Sequence, residues 1–297
     1  MRIGVGVDTS SIASTIEGVR RAADAGFASV WFSNIFGLDA IGTAAVAGSQ
    51  VPGIALGTAV VPTFPRHPFS MAQQAATAAD ATGGRFILGI GLSHQVVIES
   101  MLGLSFDKPA RHMEEYLSVL MPLLRDGKVD FQGEVYAVRA TLERPGGAPP
   151  VLVAALGPRM LRITGELADG TITWMTGQKT LADHVTPKIT AAAEAAGRPA
   201  PHVVAGVPVC VTHDVTAARE QAAKTFAVYG QLPSYRAMLD REGADGPADL
   251  AIAGDEDAVA SAVRSYADAG VTDFNAVIFG DGEARERTYK VLAGLAG

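Results

Sequence analysis

The sequence predicts a single (β/α)8 barrel, and three observations carry that expectation. Short apolar runs alternate eight times with helix-length periodic segments along the 297 residues. The runs have few polar positions, as expected for strands buried on both faces of a parallel sheet. The 33 glycines fall between these segments rather than in one tract, which suits many tight βα and αβ turns. Eight units in a chain of this length favour closure over an open sheet.

The units read in order. A first strand covers Arg2 to Val7 and stops at Asp8-Thr9-Ser10. Ser14-Thr15-Ile16-Glu17 has the spacing of a capping box for the next helix, with Ile16, Val19 and Ala23 on one face and Gly26 at its end. Ser29 to Phe32 is the second strand, and Ile54 to Val61, closed by Pro62, the third. Ser70-Met71-Ala72-Gln73 offers another capping box, opening a helix that ends at Gly83-Gly84. The fourth strand is Phe86 to Ile90. The helix after it, Arg111 to Arg125, aligns Met113, Leu117, Leu120 and Leu124, with Pro122 near its end. Strands five to eight are Val151 to Ala155, Thr171 to Met175, Val203 to Val211 and Asp273 to Phe279. Helices are expected over Pro158 to Leu167, up to Ala196, over Ala217 to Tyr229 and over Asp257 to Ala269, with one more after the last strand.

Two stretches interrupt the rhythm as insertions, between units four and five and between units seven and eight. Lys128 to Pro150 contains Gly133-Glu134, the β-like run Val135 to Val138 and Pro145-Gly146-Gly147. Gln231 to Asp249, with Pro233, Gly243, Gly246 and Pro247, reads as a loop or short helical lid. Neither suggests a second domain, so residues 1–297 are expected to form one.

A formal charge of −7 argues against nucleic acid, whose phosphates need clustered Lys and Arg. Arg285 to Lys290 alternates with acids and reads as a solvated helix face. No apolar run reaches membrane-spanning length, and the N-terminus enters a strand at once with no export-signal pattern. The single cysteine, Cys210, sits in an apolar run and reads as a buried structural thiol. A cytoplasmic location is the expectation.

In a barrel the chemistry sits at the C-terminal strand ends, here Asp8, Asn34, Val60 to Thr63, Gly91 to His94, Ala155 to Arg159, Trp174 to Gly177, His213 and Gly280. No lysine stands there for a Schiff base, and only Asp8 is convincing for a glycosidase pair. His112 and Glu115 have the nearest metal-ligand spacing, but they lie on a helix and read as a surface pair, so no metal is expected. Such a site, poor in ionisable groups, suits a large planar cofactor that brings its own reactivity. Gly157-Pro158 opens a helix whose free amides favour phosphate, with Arg159 as a possible helper. His94 is a candidate proton or hydrogen-bond donor. Arg66-His67-Pro68 reads as structural, pinning the loop after strand three, and Trp174 with Met175 as core or as the wall of a ring site. His184, His202 and His213 have no sequence neighbours that suggest chemistry.

Several of these segments together resemble the luciferase-like flavin and deazaflavin oxidoreductases, over essentially the whole chain. They are Leu56 to Pro62 leading into Arg66-His67-Pro68, Arg85 to Gly91, Ala154 to Leu161 continuing to Gly165 to Gly170, and Ala253-Gly254 with the helix ending Tyr266 to Val271. The chain is most similar to the branch that uses the deazaflavin coenzyme F-420. The resemblance implies an enzyme, an oxidoreductase, with a non-proline cis peptide at Ala59-Val60 behind the deazaflavin ring. It implies that Ala155, Gly157, Pro158, Arg159 and Met160 surround the coenzyme phosphate, and that Asn34, Gly91, Ser93 and His94 border the ring and substrate space. Sugar-phosphate dehydrogenases of this branch carry a histidine after strand two and a glutamate after strand four, where this chain has Ile35 and His94. That departure favours a reductase passing hydride to a small electron-poor organic acceptor, with His94 as proton donor. An FMN-dependent monooxygenase on the same barrel and a non-catalytic flavin-binding barrel are the alternatives. A homodimer is expected, through the alanine-rich helices after strands one and three.

Overall fold

The computed structural model describes residues 1–143 and 146–297, so Pro145 of the Pro145-Gly146-Gly147 run lies outside the described residues. Eight strands pair in parallel around a closed ring: Arg2–Gly6, Ser29–Phe32, Ala55–Thr58, Phe86–Gly91, Val151–Val153, Gly170–Trp174, His202–Val211 and Asp273–Ile278. Asp273–Ile278 then pairs with Arg2–Gly6 and closes the barrel. Below they are called the first to eighth barrel strands.

Alternation along the strands separates two apolar layers. Trp31, Leu152, Ile172 and Val204 pack together, with Ile87, Ala59 and Val60 against them, and fill the barrel. Their sequence neighbours Val30, Phe32, Leu88, Val153 and Ala205 face outward and pack with the helices. The Trp31 ring lies over Gly57, where a Cβ would collide with it. Burying one such aromatic contributes roughly 4–6 kcal/mol of transfer free energy, taken as an upper bound.

Helix starts differ from both sequence expectations. The first helix, Ile12–Asp24, begins at Ser11, whose side chain accepts from the Ser14 amide while Ser14 Oγ accepts from the Ser11 amide. The box is therefore Ser11–Ser14, three residues earlier than Ser14–Glu17. The helix Pro68–Ala81 is capped by His67, whose Nδ1 accepts from the Phe69 amide at 3.2 Å. Proline at the first helical position fixes that start ahead of Ser70. The helix Ala40–Gln50, capped by Asp39, has no counterpart in the sequence reading. It is buried at six of eleven positions, so it lacks the polar face that marks an amphipathic helix. Ala72, Ala75, Ala78 and Ala79 of Pro68–Ala81 are buried within the chain's own helix layer.

Both insertions take regular form. Lys128–Gln132 and Ala137–Thr141 make an antiparallel hairpin. After the seventh strand, the helix Pro233–Glu242 and a short turn Pro247–Leu250 precede a strand Ile252–Gly254, which pairs with the end of the seventh barrel strand. Cys210 is buried beneath this second insertion, with Met175, Leu239 and Phe279. Among the described residues no helix is long and apolar enough to cross a membrane.

Candidate active site at the barrel mouth

The third barrel strand breaks before the mouth. Pairing stops at Thr58, the Ala59–Val60 peptide is cis, and the chain rejoins the fourth strand through Val61↔Ile90 and Pro62↔Gly91. The cis bond lies where the family resemblance implies it. The bulge so formed rests on glycines. Thr58 Oγ1 donates to the Gly89 carbonyl and accepts from the Gly89 amide, both at 2.8 Å. A Cβ on Gly89 would overlap the Thr58 carbonyl oxygen. One on Gly91 would lie 2.8 Å from Val60 Cγ2 and 3.1 Å from Ala154 Cβ. Backbone cannot yield as a side-chain tip can, so Gly89→Ala is expected to cost about 1–3 kcal/mol of stability and to displace the bulge. Thermal melting with a cofactor titration checks this; unchanged values for both would show that the bulge does not depend on Gly89.

A buried polar chain supports the bulge from behind. The Thr63 amide and hydroxyl both donate to the Gly91 carbonyl, at 2.9 and 3.3 Å. His112 Nε2 lies 2.9 Å from Thr63 Oγ1, and Tyr136 Oη lies 3.5 Å from His112 Nδ1. With the Thr63 proton directed at Gly91, the consistent tautomer has Nε2–H donating to Thr63. The ring of Phe64 stacks on His112 at 3.9 Å. Burial pushes the His112 pKa down to about 4, against the opposing pull of Glu115, so the ring is neutral. His112 and Glu115 are 3% and 5% exposed, which corrects their reading as a surface pair. The hairpin covers this face of the helix Pro109–Asp126, and Glu115 accepts the amides of Glu134, Val135 and Tyr136.

At the fourth strand's end Ser93 has a left-handed backbone, φ 61°, and His94 follows. The His94 carbonyl accepts from the Val97 and Ile98 amides, starting the helical segment Val96–Met101. Its ring meets Tyr235 of the inserted helix at 5.9 Å between centroids. Tyr235 in turn meets Tyr229 at 5.1 Å, and Tyr229 meets Trp174 at 5.9 Å. The second insertion thus reaches across to His94. Burial lowers the His94 pKa. Asn34 turns into its own loop, accepting the Ala40 amide at 3.0 Å.

The helix Pro158–Leu167 starts at Gly157 with no side-chain cap, and its first i→i−4 bond is Leu161 to Gly157. The Arg159 and Met160 amides therefore have no intrahelical acceptor. The Leu156 carbonyl beside them accepts from His184 Nε2 at 2.8 Å. His184 is buried, and burial lowers its pKa, opposed by that bond. The helix start at Gln178 is different, because the Glu242 carboxylate already accepts the Lys179 and Thr180 amides. Arg159 is exposed and turned toward Glu114, 3.9 Å away, and Ala155 packs into the outer core with its carbonyl 3.4 Å from the Thr171 hydroxyl. Trp174 Nε1 and Asn275 Oδ1 are buried without a hydrogen-bond partner. Trp174 and Asn275 lie next to Gly206, where a Cβ would come 3.1 Å from the Trp174 ring and 3.7 Å from Asn275 Nδ2.

Gly91 thus lies against Val60 of the bulge, Ser93 and His94 follow it in sequence beyond the strand end, and Gly157, Pro158 and Met160 belong to one open helix start. Tyr235, His184 and the Thr63–His112 pair are the parts that sequence reasoning missed. Only the placement of Tyr235 in a proposed lid could have signalled one of them.

A parallel barrel with a glycine-seated bulge, an open helix N-terminus and few charges at its mouth is the architecture of a cofactor-dependent enzyme. The chain belongs to the luciferase-like monooxygenase family, whose description matches residues 1–273, and it is an enzyme of that family. It is 28% identical over 236 residues to a 5,10-methylenetetrahydromethanopterin reductase of Methanolobus tindarius, covering 78% of this chain and 72% of the relative. An F-420-dependent glucose-6-phosphate dehydrogenase of Mycolicibacterium fortuitum is 30% identical over 175 residues, 56% of this chain and 52% of that one. The fold superimposes on the F-420-dependent tetrahydromethanopterin reductase of Methanopyrus kandleri with a TM-score of 0.82 at 22% identity, covering 98% and 97% of the two chains.

Proposed function

We propose that this chain is a coenzyme F-420-dependent reductase that delivers hydride to a small electron-poor organic acceptor at the barrel mouth. The apolar surface of Ala59 and Val60, seated on Gly89 and Gly91 and packed on the barrel interior, carries the reading, because it offers an apolar backing for a planar ring. Two further features fit the coenzyme. The uncapped helix start at Gly157-Pro158 supplies the free amides of Arg159 and Met160 to a phosphate, and the unpartnered Trp174 Nε1–H suits a polar ring edge.

When bound, the reduced deazaflavin supplies a hydride, one hydrogen with both electrons, to an electron-poor carbon. The chain's own residues do the rest. Gly91 and Ser93 would border the ring, and Asn34 would hold the neighbouring turn through the Ala40 amide its side chain accepts. His184 holds the Leu156 carbonyl and so orients the phosphate turn. His94 gives a ring proton to the acceptor atom that gains charge and recovers one from water, so the acceptor takes up one hydride and one proton. Ile35 and His94 stand where the related sugar-phosphate dehydrogenases have histidine and glutamate, which favours reduction over sugar oxidation. A cytoplasmic location and a homodimer belong to the same proposal, on composition and family resemblance.

Parallel fluorescence titrations with F-420 and FMN test the reading. Micromolar or tighter F-420 binding with weak FMN binding is expected. The reverse order would move the assignment to FMN-dependent oxygenation, and binding of neither would leave only a fold.

A further inference from the structure

The turns beside the bulge have an unusual surface. Eleven large apolar side chains are exposed among the described residues, and seven of them lie in the turns after the second and fourth barrel strands. Phe36 is 74% exposed and Ile35 64%, after the second strand; Met101 is 58% and Val96 57% exposed, after the fourth. The second and fourth strands flank the third, so these turns stand on either side of the bulge.

The same turns lack positive charge. No Lys or Arg occurs between Arg21 and Arg66, or between Arg85 and Lys108. Arg66 is bound to Asp39 at 2.6 Å and Lys108 to Glu134 at 3.1 Å. An anionic acceptor would lose its hydration here without gaining a countercharge. Across from His94, the wall is Tyr235, continued by Tyr229 and Trp174. Arg236, next to Tyr235, points away, donating to the Ala244 and Asp245 carbonyls and to Asp240.

We infer that the acceptor is an uncharged, mainly apolar molecule, such as a cyclic conjugated ketone with an alkyl substituent. Its reacting end lies between the bulge and His94, its apolar end lies against the two turns, and Tyr235 determines specificity. This rests on the hydride-transfer reading and adds the substrate class.

Calorimetric titration of the cofactor-loaded enzyme tests it, with cyclohexenone, its methyl, propyl and pentyl homologues, and a carboxylated analogue as probes. Affinity is expected to rise two- to fourfold per methylene, the range set by ~0.8 kcal/mol per buried CH2, and the carboxylate to bind at least tenfold more weakly. Tyr235→Ala is expected to weaken the neutral series about tenfold with cofactor affinity unchanged, and Tyr235→Phe to restore it. A flat series, equal or better binding of the carboxylate, or no binding by any neutral probe overturns the inference while the cofactor reading stands. Sedimentation as a dimer that Phe36→Ser dissociates, with no neutral probe bound, would assign the surface to a second copy and also overturn it. Failure of the enzyme to load either cofactor takes down both readings.

Discussion

Glu115→Ala is expected to destabilise the protein by about 3–5 kcal/mol, because it strips three backbone amides of their shared acceptor. Those amides belong to Glu134, Val135 and Tyr136, at 3.0, 2.7 and 3.0 Å. The loss corresponds to a fall on the order of 10 °C in Tm. The hairpin turn is built around the carboxylate, since a Cβ on Gly133 would collide with it. Glu115→Gln restores one acceptor oxygen and should lose less. Burial tends to raise the Glu115 pKa, but the amides and Arg111 outweigh it and hold the carboxyl below its ordinary value. A depressed carboxyl contributes stability above its unfolded pKa and loses it as pH falls through the folded one. The gap between wild type and Glu115→Ala should therefore be full at neutral pH and shrink below about pH 4. His112 acts in the same direction over a higher range: its stability is full above the unfolded value of 6.5 and fades toward about 4. Melting curves at neutral and acid pH decide; a variant within a degree of wild type at neutral pH would mean the amides find water instead.

Glu115 also shows where sequence reading ends. Strand order and most of the helix order were legible because apolar runs and glycine punctuation are local signals, and the eight barrel strands begin within a residue of where those signals place them. Both insertions were marked by prolines and glycines. The role of Glu115 was not legible, because a glutamate on a helix is solvated unless something covers it. Its cover is a hairpin whose pairing, Lys128↔Thr141 to Gln132↔Ala137, leaves only a weak alternation in sequence. His184 escaped for the same reason, since its partner is a carbonyl 28 residues away. The helix Ala40–Gln50 was missed because burial on several sides erases its period. At the site the strand ends were readable as positions, because barrel geometry alone names them. What the side chains do there depends on which loop crosses the mouth. Tyr235 reaches His94 across 141 positions of sequence, and no local pattern encodes that contact.

His94→Ala is expected to lower turnover about 10²- to 10⁴-fold, the usual contribution of a positioned proton donor, with cofactor affinity changed by less than a few-fold. The backbone argues for a fixed ring. Ser93 is left-handed, the His94 carbonyl is bonded to two amides, and Tyr235 stands against the imidazole. Burial lowers the pKa, so the imidazolium is scarce at neutral pH but a strong acid where it forms. If the imidazolium gives the proton, the acceptor step slows as pH rises through a value below the ordinary ~6.5 of histidine, and His94→Ala loses that limb. If neutral imidazole only donates a hydrogen bond, the profile is flat there and His94→Gln keeps much of the rate. The two variants therefore separate proton transfer from hydrogen bonding. A His94→Ala enzyme with full turnover and an unchanged pH profile would remove His94 from the chemistry and leave proton supply to solvent admitted past Tyr235.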